Sequence, residues 1–346
     1  MKKSFLMFGV AAMALASCTQ NEVVEYAENR AIQFDTFVNN NTRAVTELKA
    51  ENLTKFNVFA YHGANTVDYN NVLVTGSNSS GWTPAANAYW QAGNAYEFAA
   101  YSNQNEAITS EPGVSFANKT LTFTGYEVAG KDLVAAQTSV ALQTDVNSYT
   151  AVNLTFYHML SQIKFTFTNS DADDYTLKIS KIKITAGKTA KGEFKMNEGG
   201  TPAISWTDAS NGEYTITDIA DIANGPSEST ASESLLILPQ STTGLKVTFT
   251  ARLTDAGNNV IATGNFEAPL KISEDGGDAW KPGYRYNYIA ELNGSDVPVN
   301  PVDPSEPGDE EDPKPTVIQF NVVEVDSWED SNAAGSTTPS VVTSQP

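Results

Sequence analysis

Leu245-Lys246-Val247-Thr248-Phe249-Thr250-Ala251-Arg252-Leu253 alternates apolar and polar side chains without a break. A period of two puts successive side chains on opposite faces of a pleated strand, so this stretch predicts a strand with one face in a core and the other in water. The alternation recurs on both sides of it. Ile163, Phe165 and Phe167 alternate with Lys164, Thr166 and Thr168, and Tyr284, Tyr286 and Tyr288 share one face of another run. Shorter runs lie at residues 56–61, 121–123, 154–156, 177–184 and 214–216, separated by clusters of Asn, Gly, Ser, Thr and Asp. Such clusters favour turns, because they tolerate left-handed backbone or bond their own main chain. Many short strands at close spacing, with few helical periods, predict an all-β chain of antiparallel sandwiches.

The 346 residues are enough for two ordinary domains, each with its own core. Apolar residues at 40% and aromatics at 10% argue for a folded body over a disordered one. Forty-one acidic against 21 basic residues give a net charge of −20, which argues against a nucleic-acid partner. Lys2 and Lys3 precede an apolar stretch from Phe5 to Leu15, which ends in Leu15-Ala16-Ser17-Cys18. This is the pattern of a secretory signal, too short to span a bilayer as a lasting helix, with a cysteine at its cleavage point. Residues 1–17 are therefore expected to be a lipoprotein signal peptide and Cys18 the lipidated N-terminus. Loss of the two leader lysines would take the net charge of −20 to −22. Cys18 is the only cysteine, so no disulfide framework can form.

The alternation slips phase between Phe156 and Ile163, which places the expected junction near Met159: residues 44–159 and 160–296 are expected as two sandwiches. Val297–Pro315 carries six prolines and the acidic run Asp309-Glu310-Glu311-Asp312, a composition that packs no core. At ~3.1 Å per residue in polyproline form this linker could reach about 50–60 Å. Behind it, residues 316–330 hold the β-type segment Val317, Ile318, Phe320, Val322, Val323 and Val325, and residues 331–346 form a polar tail expected to be disordered. A strand isolated behind a linker has to pair with something. Either it folds back on its own domain or it inserts into a neighbour.

Signals for catalysis are poor. His62 and His158 are the only histidines and lie far apart, with no cysteine to help build a zinc site, and His158 falls on the apolar face of its run, as a satisfied core histidine would. Gly187-Lys188-Thr189 looks like the tail of a phosphate-binding loop, but Ile182 stands where the first glycine should be, so a hairpin turn is expected. The acidic run at 309–312 lacks the spacing of a calcium loop. No enzyme, cofactor or metal site is expected. Trp82, Trp90, Trp206, Trp280 and Trp328 keep a rival reading open, a surface lipoprotein that stacks glycans on its indoles.

The two ends of the chain echo each other. Ile32-Gln33-Phe34-Asp35 and Ile318-Gln319-Phe320-Asn321 are both strand-like, with Ile and Phe on one face, so both could fill one groove. Between the first of them and the body lies Asn39-Asn40-Asn41-Thr42-Arg43-Ala44, a polar loop-like stretch of the kind proteases nick. A cut between Arg43 and Ala44 would remove lipid and first strand together.

Four further segments, Lys131-Asp132-Leu133-Val134-Ala135-Ala136, Leu154-Thr155-Phe156-Tyr157-His158-Met159-Leu160-Ser161-Gln162, Leu236-Ile237-Leu238-Pro239-Gln240 and Trp280-Lys281-Pro282-Gly283-Tyr284-Arg285-Tyr286, resemble in order the recurring segments of fimbrillin-like proteins, the lipoprotein-derived pilus subunits of certain Gram-negative anaerobes. The resemblance covers roughly residues 31–328. It implies two transthyretin-like sandwiches in tandem plus an extra C-terminal strand. It also implies export to the outer membrane as a lipoprotein, trimming by an arginine-specific protease, and assembly with other pilus subunits at the cell surface by strand exchange. On this chain that would put the lipid on Cys18, make 18–43 a propeptide cut after Arg43, and make Ala31–Val38 the departing strand, anchored by Ile32 and Phe34. Thr316–Asp326 would be the donor, with Ile318, Phe320 and Val322 as its anchors. Stalk, tip and accessory roles all fit the resemblance.

Overall fold

The computed structural model describes residues 30–38, 48–109, 113–170, 174–225, 229–272, 278–293, 296–297, 315–320, 322–327 and 340–343. They are built from strands, with one three-residue 3-10 turn at Val146–Ser148.

The first sheet has the order β1-β9-β8-β5-β2-β3-β4, from β1 (Phe34–Val38), β2 (Lys55–His62), β3 (Thr66–Ser77), β4 (Gly81–Pro84), β5 (Tyr96–Asn103), β8 (Leu133–Val140) and β9 (Val152–His158). It curls until its two edge strands approach each other. Ile32, Phe34, Phe56, Val58, Tyr69, Val74, Trp82, Phe98, Leu154 and Phe156 pack inside the curl. The middle strands are buried on both faces: Phe59, Ala99, Tyr101, Leu133 and Ala135 point outward into a second core.

That second core lies between two more sheets. One has the order β18-β16-β15-β11-β7-β6, from β6 (Gly113–Ala117), β7 (Thr120–Glu127), β11 (Thr176–Met196), β15 (Lys246–Thr254), β16 (Val260–Pro269) and β18 (Thr316–Val317), with β12 (Pro202–Ile216) also on β11. The other has the order β13-β10-β17-β19-β20, from β10 (Ser161–Asn169), β13 (Ser229–Ala231), β17 (Tyr284–Leu292), β19 (Val322–Ser327) and β20 (Ser340–Thr343), with β14 (Leu235–Ile237) also on β10. The alternating stretch that follows Leu245 is β15. Val247, Phe249, Ala251 and Leu253 are buried while Lys246, Thr248 and Arg252 are exposed. Tyr286 and Tyr288 are likewise buried, and Tyr284 lies out at the start of its strand.

Three findings differ from the simple antiparallel expectation. β1 pairs parallel with β9, β10 with β17, and β18 with β16. A parallel pair needs a long connection, and each of these joins segments far apart in the chain. Secondly, the chain leaves the first sheet at His158 and enters another at Ser161, where the alternation slips, yet β7 from before that point pairs with β11 from after it. Lastly, Gly187-Lys188-Thr189 is no hairpin turn but a bulge within the 21-residue β11. The bulge stands because side chains satisfy its main chain: Gly187 N donates to Gln240 Oε1 at 2.9 Å and Gly187 O accepts from the Tyr214 hydroxyl at 2.8 Å.

Buried phenols make this fold sensitive to alkali. Burial raises the pKa of Tyr126, Tyr214 and Tyr288, and pushes Tyr286 up to about 12. Each phenol keeps its proton in the folded chain where the unfolded chain has lost it, so unfolding releases protons above the ordinary value of 10.0. Stability is therefore full below pH 10 and falls above it by about 1.4 kcal/mol per pH unit for each such group. Urea midpoints should hold level up to that pH and then drop steeply, with tyrosinate absorbance rising in the same step. Midpoints that stay level up to pH 12 would show the phenols are not buried.

Candidate functional site

The site is the seat of β1. In the first sheet β1 lies against β9, with Phe34 opposite Val152 and Thr36 opposite Leu154, and Val152 N donates to Gln33 O at 2.8 Å. On its other side the approach to β1 is held by residues 88–90: Ile32 N donates to Ala88 O at 3.0 Å and Trp90 N to Arg30 O at 2.8 Å. Strand alternation then sorts its side chains. Ile32, Phe34 and Thr36 are buried and Gln33, Asp35 and Phe37 exposed. The Phe34 ring stands edge-on to Phe56 at 5.8 Å and to Phe98 at 6.3 Å, and meets Tyr69 at 5.9 Å.

Asn78, in the turn between β3 and β4, closes the seat. Its Oδ1 accepts from Thr36 N at 3.2 Å and from Thr36 Oγ1 at 3.0 Å, while its Nδ2 donates to Thr36 O at 2.5 Å. Trp82 Nε1 donates to the same Oδ1 at 2.9 Å. Sequence reasoning missed Asn78, which lies among serines in what reads as an ordinary turn.

Asp132 and His158 tie two of the recurring segments together. Both are buried, with His158 Nδ1 and Asp132 Oδ1 3.0 Å apart, and Asp132 Oδ2 accepts from Leu48 N at 2.9 Å. His158 is thus a partnered core histidine. The other two recurring segments meet as well: Trp280 N donates to Gln240 O at 2.9 Å, and Gly283 N to Leu160 O at 2.9 Å.

The C-terminal segment pairs within its own chain. β18 runs alongside Phe266 and Glu267 of β16, Ile318 N donates to Glu267 O at 3.0 Å, and β19 pairs antiparallel with β17. Phe320 is buried, 5.6 Å from the Phe165 ring and 5.1 Å from that of Tyr288, and Ile318 packs on the edge of the same core. Val322 begins β19. Each end segment thus seals a different core with the same Ile-Gln-Phe.

Cys18, Arg43 and Ala44 lie outside the described residues, as do Trp328 and the acidic run at 309–312. Trp82, Trp90 and Trp280 are buried, and Trp206 donates its indole N–H to Met159 O at 2.9 Å, so these indoles serve packing. No group of His, Cys, Asp and Glu able to hold a metal ion occurs among the described residues, and no helix among them is long and apolar enough to cross a membrane.

A fimbrillin-like family model matches residues 42–303. Among solved structures, a fimbrial protein from Bacteroides vulgatus is 18% identical at a TM-score of 0.52, covering 77% of this chain and 96% of that one. The fimbrial anchor protein Mfa2 from Porphyromonas gingivalis is 11% identical at a TM-score of 0.33, covering 75% of this chain and 90% of that one. At 18% identity the likeness to the Bacteroides vulgatus protein is one of fold. No curated protein sequence matches the chain.

Proposed function

The chain belongs to the fimbrillin-like family, and from that premise we propose that it is a structural, non-enzymatic subunit of a cell-surface fimbrium, delivered as a lipoprotein and polymerised by strand exchange. The lipid goes on Cys18, an arginine-specific protease cuts between Arg43 and Ala44, and β1 leaves with the propeptide. The C-terminal strand of another subunit, anchored by Ile318, Phe320 and Val322, then takes its place. In this reading residues 44–159 and 160–296 are two transthyretin-like units, with β6 and β7 of the first stretch lying in a sheet of the second, and the outer membrane is a partner only until the cut. The observation that carries the proposal is the way β1 is bound. It is an edge strand whose Ile32 and Phe34 fill a core, and the site of the cut lies in sequence between it and β2. Removing such a strand exposes apolar core and unpaired backbone, so a replacement strand is held strongly.

The test is the N-terminus of the protein recovered from assembled surface polymers. A chain starting at Ala44 is expected. Polymers whose subunits begin at an intact, lipidated Cys18 would overturn the route.

A further inference from the structure

We infer that Asn78 sets the register of whatever strand occupies the β1 seat, and that in the polymer the place of Thr36 is taken by Val322 of a second copy. The inference rests on the strand-exchange reading above and adds to it which residue goes where.

A side-chain amide has the same donor and acceptor as a peptide group. Through its two ends Asn78 bonds both the N–H and the C=O of Thr36, as a residue of an adjoining strand would. It therefore grips main chain, at one position only, and any strand laid in the seat can offer it the same two atoms. What it restricts is the side chain there. Thr36 is fully buried beside Asn78 and Trp82, so the site takes a threonine-sized group and rejects a bulky or charged one.

That restriction selects a single register for the C-terminal strand. With Ile318 on the Ile32 site and Phe320 on the Phe34 site, Val322 falls on the Thr36 site, and valine is threonine with a methyl in place of the hydroxyl. Sliding the strand two residues one way puts Phe320 at the clamp; two the other way puts Glu324 there. A slide of one residue turns the strand over and drives Gln319 or Asn321 into the core. Only the matched register satisfies all three buried sites.

Val322 also lacks the hydroxyl that Thr36 gives to Asn78 Oδ1. At this site the incoming strand makes one hydrogen bond fewer than the outgoing one, so it cannot displace β1 on contacts there alone. The cut supplies the difference: once β1 is no longer tethered to the body, its return is bimolecular and its effective concentration is lost.

The experiment uses the full chain cut after Arg43, with the cut verified by mass, and synthetic Thr316–Ser327 peptides that displace the freed N-terminal strand. The wild-type peptide should displace it. A Val322→Thr peptide, having regained the bond, should remain bound about fivefold longer, and a Val322→Glu peptide should bind at least about a hundredfold more weakly. On Asn78→Ala protein the Thr advantage should vanish. Equal binding of the Glu and wild-type peptides, or a Thr advantage that survives in Asn78→Ala protein, overturns the register assignment and leaves strand exchange standing. Failure of every peptide to displace the strand from cut wild-type protein overturns strand exchange itself. The comparison of peptides on wild-type protein decides the matter even if Asn78→Ala does not fold.

Discussion

Phe34→Ala should destabilise the uncut chain by about 3–5 kcal/mol, the usual cost of emptying a fully packed phenylalanine site. Phe34 is 3% exposed and meets three rings at centroid distances of 5.8, 5.9 and 6.3 Å, from β2, β3 and β5. Four elements of the first sheet therefore lean on one side chain that the proposed maturation takes away. Little can collapse into the gap, because the middle strands of that sheet are also fixed from behind by the second core. Urea denaturation should show the loss, and amide exchange should place it in β1, β9 and the turn carrying Asn78. Phe320→Ala is the contrast. Phe320 touches Phe165 and Tyr288 in the other core, so its change should free β19 and leave β1 protected. Equal losses of protection at both ends from either variant would mean that the two cores do not open independently.

How much of this was legible in the sequence depended on range. The alternation in 245–253 gave β15 and its buried face residue by residue, because the facing of a strand is a local property. The change of sheet at His158–Ser161 was legible for the same reason, as a slip of phase. Partners were not legible. Nothing in the alternation of β7 says that it joins β11, nor do the end segments say that β1 and β18 pair in parallel, since pairing is decided by surfaces brought together over long stretches of chain. The bulge at Gly187 was misread because what stabilises it, Gln240, lies 53 residues away. Of the candidate site, Ile32 and Phe34 were visible as an alternating pair that the other end repeats. Asn78 was not, because an asparagine that clamps a strand has the same local sequence as one that merely turns a chain. Asp132 did leave a signal: a carboxyl group heading the apolar run Leu133-Val134-Ala135-Ala136 is costly to bury and so implies partners.

Those partners make Asp132→Ala the second large effect, expected at about 3–5 kcal/mol. Asp132 is fully buried and bonds His158 and the main chain of Leu48 at once, across 26 and 84 residues of sequence. Removing its carboxyl group takes away both bonds at once, the one to the imidazole and the one to the buried Leu48 N–H, and losing the partner of a buried polar group costs more than a hydrogen bond returns. Asp132→Asn keeps an acceptor for Leu48 and should cost clearly less. A double variant, Asp132→Leu with His158→Leu, should recover part of the loss, since two apolar groups need no partners. The Leu48 bond gives this pair a place in the proposed maturation. Leu48 lies four residues beyond Ala44, so after a cut at Arg43 this bond would tie the new N-terminal stretch to the body. While Asp132 holds Leu48, β1 can leave without the following residues peeling off the sheet after it; without Asp132 the trimmed end should fray as far as β2. Amide exchange on cut protein separates the two cases. In the wild type Leu48 N–H should be protected, and in Asp132→Ala it should exchange while β2 stays protected. Protection of Leu48 in both would assign the anchoring to the buried side chains of Leu48 and Leu53 instead.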